Sequence, residues 1–437
     1  MKFLEEKFVP FAAKVGAQKH LACIRDSFVV IMPLTIAGAL GVLLNNFHTL
    51  FAPSGLNMPA IQEGYSNFLA SSGLGTVFAA LNNGTIAMMA VLLAGMLTSK
   101  LTAVNGGDAE AGFVVGLAGY LCGVAQNYGA LYADGTKFPG AAIDAKLLAA
   151  DGLFVAMIFG LLMGTLFPKL SNNPKLQIKM PDGVPPAVSK SFSSMIPAII
   201  VMLVVAAIYG YAEKFTGMNV WQIVTKFLST PLQGLSQNVI MVIVMYFMID
   251  LLWIFGLHGA NIVGSVTTPI LTPLSNANVN RFANGEEPLN TVVGGLQSGF
   301  AFLGGSGATL GCIIAIFIFS KSKASKTIAQ LALAPGLFEI NEPLTFGLPI
   351  VMNMVLAIPF IIGPIVLGVV TFYLMESGII RRPCIEAPWV TPPVLIGFLC
   401  TGGDIKGAIW NVVEIVLLTV LWTPFIIMND KVEAGNA

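Results

Sequence analysis

The chain is built from long apolar runs separated by short polar breaks. Apolar runs of eighteen or more residues with few charges are read as membrane-crossing helices. In the first half they predict spans over about 28–46, 74–98, 111–131, 151–168 and 195–212. Between the last two, 169–194 holds Lys169, Lys175, Lys179 and Lys190 with several prolines, and reads as a polar segment. The second half is less regular. An amphipathic stretch at 216–232 precedes a strong run at 236–256, and further runs lie near 354–375 and 408–428.

Two stretches fit neither a span nor a loop. The first, GLHGANIVGSVTTPILTPL at 256–274, is too rich in Gly, Thr and Pro for a plain span, and the polar run after it, 275–290, reads as solvated. The second is PGLFEINEPLTFGLPIVMN at 335–353, with Glu339 and Glu342 inside an apolar surround. Each proline removes a backbone donor, and glycine loosens a helix. Broken backbone at membrane depth persists only where protein or a water-filled cavity satisfies it. Interrupted apolar segments of this kind point to a transporter's binding site. The division predicted is a scaffold half at 1–212, a linker with an amphipathic helix at 213–235, and a substrate-binding half at 236–437.

Composition agrees with the pattern. Hydrophobic residues make up 56% of the 437 residues and charged ones 10%, with a mean hydropathy of +0.82. Soluble domains carry about 25% charged residues, so this is an all-α polytopic membrane protein, with room for roughly nine to eleven spans. A net charge of zero argues against nucleic acid. Lys2, Lys7, Lys14, Lys19 and Arg25 precede the first span, and 47–72 has no Lys or Arg, which predicts a cytoplasmic N-terminus. That terminus is charged throughout and makes a poor signal peptide; Phe3, Leu4, Phe8 and Phe11 suit a helix lying on the membrane surface. The five cysteines are far apart in apolar or proline-rich settings and read as fillers, with no metal spacing. GGSGATLG at 304–311 has the glycines of a phosphate loop but no lysine, and reads as close helix packing.

The candidate chemistry sits in the two broken stretches. An ionisable residue inside a membrane is a functional candidate by default. Glu342 could accept sugar hydroxyls or take a hydroxyl proton, or simply favour the start of a half-helix. His258 lies between glycines that allow a ligand to approach closely. Asn341, Asn261 and Gln297 are candidate hydroxyl ligands. Trp253 and Trp389 are candidate platforms for a sugar ring, against the alternative of an aromatic belt. Asp250 shares a helical face with Trp253 and is either a coupling acid or a structural partner. Glu339 reads as an ion-pair or interface residue.

GLHGAN at 256–261 and INEPLTFGLPIVMN at 340–353 resemble the membrane component EIIC of the phosphoenolpyruvate:sugar phosphotransferase system, in its lactose/cellobiose/diacetylchitobiose branch. The opening FLEEKFVPFAAKVGAQKHLACIRDSF and the run TGGDIKGAIWN at 401–411 are similar to that branch as well, so the likeness covers the whole chain. Met354 departs from it where relatives often have proline. The resemblance implies about ten spans with two re-entrant hairpins carrying His258 and Glu342, a homodimer, and a bacterial plasma-membrane location. It implies import of a β-linked disaccharide and its phosphorylation by a separate EIIB, whose phosphocysteine is charged by EIIA, with no cofactor in this chain. In that scheme Glu342 and His258 act in catalysis as well as binding. The competing reading is a proton- or sodium-coupled sugar symporter.

Overall fold

The computed structural model describes residues 17–51, 58–124, 136–137, 140–178, 180–181, 183–348 and 350–435, together with residues 10 and 14. Phe3, Leu4, Phe8 and Phe11, the basis for a surface helix, lie outside these residues. Secondary structure among the described residues is helical, with no extended strand. Among the described residues, six helices are long and apolar enough to cross a membrane, or seven if a bent pair ending at Ile254 counts as one span. Contacts divide the chain into two compact units. One holds 18–35 and 83–233; the other holds 1–17, 36–82 and 234–437.

The first unit contains α1 (Lys19–Asn46) up to residue 35, then α2 (Met89–Val104), α3 (Ala109–Cys122), α4 (Leu153–Ser171) and α5 (Pro186–Thr216). Helix α2 is its centre: Ala90, Leu93, Ala94, Leu97 and Leu101 are fully buried. Small residues let the neighbours close on it. A Cβ on Gly116 would lie 2.4 Å from Thr98 Oγ1, and one on Gly160 would lie 3.0 Å from Leu97. Asp108 caps α3 through the Glu110 and Ala111 N–H groups and pairs with Lys190 at 3.0 Å. Lys190 thus lies in a helix, and the polar segment predicted at 169–194 is helical from Pro186 onward. The aromatic rings of Phe159, Tyr209 and Trp221 stack in sequence.

The second unit carries both broken stretches. It contains α6 (Val239–Ile254), α7 (Gly259–Ala283), α8 (Leu310–Phe319), α9 (Lys323–Leu337), α10 (Glu342–Gly347), α11 (Met354–Glu376), α12 (Leu395–Cys400) and α13 (Ile405–Gly435). Asparagines start three of its helices: Asn238 caps α6, Asn341 precedes α10 and Asn353 caps α11. Tyr246, Phe300, Phe360 and Trp422 fill the core with Leu344 and Ile350.

Two predicted features take a different form in the structure. The break at 256–274 is confined to the turn before Gly259, and α7 then runs unbroken through Pro269 and Pro273. The supposedly solvated run 275–290 forms the last turns of α7 and the turn beyond it, with Asn276 and Asn278 fully buried. Asn278 explains this. Its amide donates to the Asn290 and Pro383 carbonyls, each at 2.7 Å, and its oxygen accepts from the Leu289 and Asn290 N–H groups at 3.1 and 2.9 Å. Buried polar groups persist when they are satisfied in this way.

The stretch 335–353 is broken as predicted: α9 stops at Leu337, α10 starts at Glu342, and non-helical backbone leads to α11. The glycine run at 304–311 is more than a packing surface. Gly307 and Gly311 do allow close approach, to Phe360 and Leu418. Gly304, Gly305 and Gly307, however, take φ of 88°, 95° and 78°, which side chains tolerate poorly.

Candidate functional site

Two turns meet in the second unit. The first begins where α6 ends. Gly256 reverses the chain with φ of 74°, and His258 then caps α7. A Cβ on Gly259 would lie 1.9 Å from the Ile249 carbonyl oxygen, so only glycine lets α7 start so close to α6. His258 Nδ1 accepts the Asn261 N–H at 3.3 Å. In the neutral imidazole that bond places the proton on Nε2.

The second turn links α9 to α10. Glu339 takes φ of 65°, Asn341 precedes α10, and Glu342 and Pro343 form its first turn. Proline costs nothing there, because a first-turn N–H has no helical partner. The Met352 N–H donates to the Ile254 carbonyl at 2.9 Å, joining the segment after α10 to the end of α6.

These turns bring His258 Nε2 to 3.9 Å from Glu342 Oε1, with side chains 45% and 41% exposed. The Trp253 ring backs the imidazole at 4.7 Å between centroids, and the Phe346 ring lies 6.2 Å from that of Trp253. A separation of 3.9 Å is too long for a direct hydrogen bond. A hydroxyl oxygen could sit about 2.8 Å from both atoms, accepting from Nε2–H and donating to the carboxylate.

The structure therefore brings His258, Glu342 and Trp253 together. Trp253 is only 3% exposed and supports the imidazole more than it offers an open face. Asn261 is exposed in the first turn of α7, and its backbone N–H donates to the capping His258 Nδ1. Asn341 is buried, and its amide donates to the Ser306 carbonyl at 2.8 Å. Trp389 is half exposed, and no ring contact or hydrogen bond ties it to this group among the described residues.

Two carboxylates read only loosely from the sequence have defined places. Glu339 makes no ion pair among the described residues; it accepts from the Gly304 and Gly305 N–H groups. Asp250 accepts from the Gly307 N–H at 3.1 Å. Their partners are backbone amides far along the chain, which no local motif announces. No cluster of three His, Cys, Asp or Glu side chains that could hold a metal occurs among the described residues.

The chain is similar in sequence and fold to known proteins. The family described as "Phosphotransferase system, EIIC" matches residues 25–364. The chain is 32% identical to the PTS system cellobiose-specific EIIC component of Lactococcus lactis subsp. lactis (strain IL1403), over 99% of this chain and 98% of that one. It is 35% identical to the Lichenan permease IIC component of Bacillus subtilis (strain 168), over 98% and 93%. Among solved structures, the transporter ChbC, the IIC component from the N,N'-diacetylchitobiose-specific phosphotransferase system, matches with a TM-score of 0.88, 33% identity and 99% coverage of both chains.

Proposed function

The chain belongs to the phosphotransferase system EIIC family, and from that premise we propose that it imports a β-linked disaccharide of the cellobiose or diacetylchitobiose type and presents its 6-hydroxyl to a phosphorylated EIIB. The observation that carries this reading is the 3.9 Å gap between His258 Nε2 and Glu342 Oε1 on an exposed edge of the second unit. One sugar hydroxyl fits it. Glu342 takes the hydroxyl proton, the sugar oxygen forms a bond to phosphorus, the phosphorus–sulfur bond breaks, and the EIIB cysteine leaves as thiolate. The Nε2–H donates to the sugar oxygen as its charge develops. Phosphoryl transfer asks mainly for positioning and charge stabilisation, which these two groups supply. Asn261 and Trp389 contact the remainder of the sugar.

The breaks before Gly259 and Glu342 are the tips of two re-entrant hairpins in an arrangement of about ten spans. The N-terminal half is the dimer scaffold, and the half from residue 236 carries the sugar across the bacterial plasma membrane. EIIA and EIIB act as separate partners. Lactose-specific EIICB components are similar to this chain, which supports EIIB as its partner.

The test is sugar uptake in vesicles holding phospho-EIIB. Sugar phosphate is expected inside, with no accumulation when EIIB is omitted. Concentrative uptake of free sugar on an imposed proton or sodium gradient alone would replace this reading with a symporter. Orientation has its own test. In a cysteine-free background, a single cysteine at exposed Asn173 is expected to react with an impermeant maleimide only from the cytoplasmic side, and one at Met58 only from outside. The reverse labelling would overturn the cytoplasmic N-terminus.

A further inference from the structure

Residues 304–307 are held peptide by peptide by three buried side chains. Glu339 Oε2 accepts from the Gly304 N–H at 2.5 Å and the Gly305 N–H at 2.9 Å. Asn341 Nδ2 donates to the Ser306 carbonyl at 2.8 Å, and Asp250 Oδ1 accepts from the Gly307 N–H at 3.1 Å. The three side chains belong to residues 6%, 4% and 0% exposed. The loop also packs closely on the Glu339–Asn341 turn, since a Cβ on Gly305 would lie 2.7 Å from the Glu339 carbonyl oxygen.

Two of these anchors come from the turn that carries Glu342, and the third from α6, the helix that leads into the His258 turn. Glu339 and Asn341 immediately precede Glu342, and Asp250 lies one helical turn before Trp253, whose ring backs His258. The loop therefore ties the Glu342 turn to the His258 turn from behind. Glu339 bears a cost for this, since its φ of 65° is one that a non-glycine residue keeps only when its surroundings enforce it. Two N–H groups on one carboxylate oxygen supply the enforcement. Without them, the turn is free to relax to negative φ and to swing the carboxylate of Glu342, three residues on.

We propose that Glu339 is a positioning residue for sugar phosphorylation: by clamping the 304–307 loop it fixes the spacing of Glu342 from His258 without touching the sugar. This rests on the role given above to that pair. The acceptor geometry does the positioning, and Glu339 Oε1 makes no hydrogen bond among the described residues. Glutamine, whose carbonyl oxygen can take both N–H groups, should therefore replace it.

The experiment pairs equilibrium cellobiose binding on the purified full chain with phospho-EIIB-dependent cellobiose phosphorylation in vesicles. Glu339→Ala is expected to lower kcat roughly 10–100-fold, the scale of a misplaced reacting group, with Kd within about threefold of wild type. Glu339→Gln is expected to restore kcat to within about threefold. Asn341→Ala, which removes one anchor and buries no new charge, is expected to show a smaller loss of the same kind, and it decides the matter if Glu339→Ala does not fold. Alanine variants with kcat within twofold of wild type would overturn the proposal. So would binding and turnover falling together with no rescue by glutamine, the pattern of a purely structural residue. A wild-type protein that binds cellobiose but never yields sugar phosphate with phospho-EIIB would overturn the reading of the His258–Glu342 pair itself, and this proposal with it.

Discussion

Glu342→Gln is expected to keep sugar binding within about tenfold of wild type and to lower EIIB-dependent phosphorylation by roughly 10²–10⁴-fold, the usual contribution of a positioned acid or base. Glutamine keeps the size of the side chain and an acceptor oxygen at the rim of the 3.9 Å gap. It cannot take the hydroxyl proton. Were Glu342 mainly a clamp for sugar hydroxyls, binding and phosphorylation would fall together, because a charged hydrogen bond contributes about 1.5–3 kcal/mol. Were it only favouring the start of α10, both assays would barely change and thermal stability would drop slightly. Equilibrium binding on the purified variant, read beside phosphorylation in vesicles, separates the three outcomes. Phosphorylation close to wild type would remove Glu342 from the chemistry.

Glu342 and His258 stand out as candidates in the sequence for a physical reason. Each is a polar group in an apolar surround, flanked by residues that break helices, and such groups are too costly to keep in a membrane without a use. Most of the apolar runs were legible for the related reason that length and hydropathy alone set a span, whereas the run predicted at 111–131 forms the shorter helix Ala109–Cys122, and 125–131 lie outside the described residues. What the sequence hid was tertiary. The run 275–290 looks solvated because local hydropathy cannot see that Asn278 will find four backbone partners, one of them on Pro383. Glu339 looked like an ion-pair residue because its partners, the Gly304 and Gly305 amides, lie 35 and 34 residues away. The three glycines at 304–307 drew notice as small residues, whereas all three serve through left-handed backbone angles. The close start of α7 against the Ile249 carbonyl could not be foreseen, although Gly259 beside His258 was noted for the space it leaves.

Asn278 carries the largest expected loss of stability. Asn278→Ala leaves the Asn290 and Pro383 carbonyls and the Leu289 and Asn290 N–H groups without their side-chain partner. These groups do not weigh equally. Leu289 is exposed, so its N–H can turn to water, whereas Pro383 is buried and its carbonyl cannot. At about 1–3 kcal/mol for each buried group left unsatisfied, the expected loss is on the order of 3 kcal/mol, read as a lower unfolding midpoint of the purified protein in detergent. Hydrogen exchange should rise over 284–290 first, because Asn278 is what holds that turn to the end of α7. Asn276 is the control. It is two residues away and equally buried, yet its amide makes no hydrogen bond among the described residues. Asn276→Ala strands no backbone group and is expected to cost about 1 kcal/mol or less, the scale of an ordinary substitution. Equal losses from the two variants would show that burial of the asparagines, and not the four bonds of Asn278, is what the fold requires here.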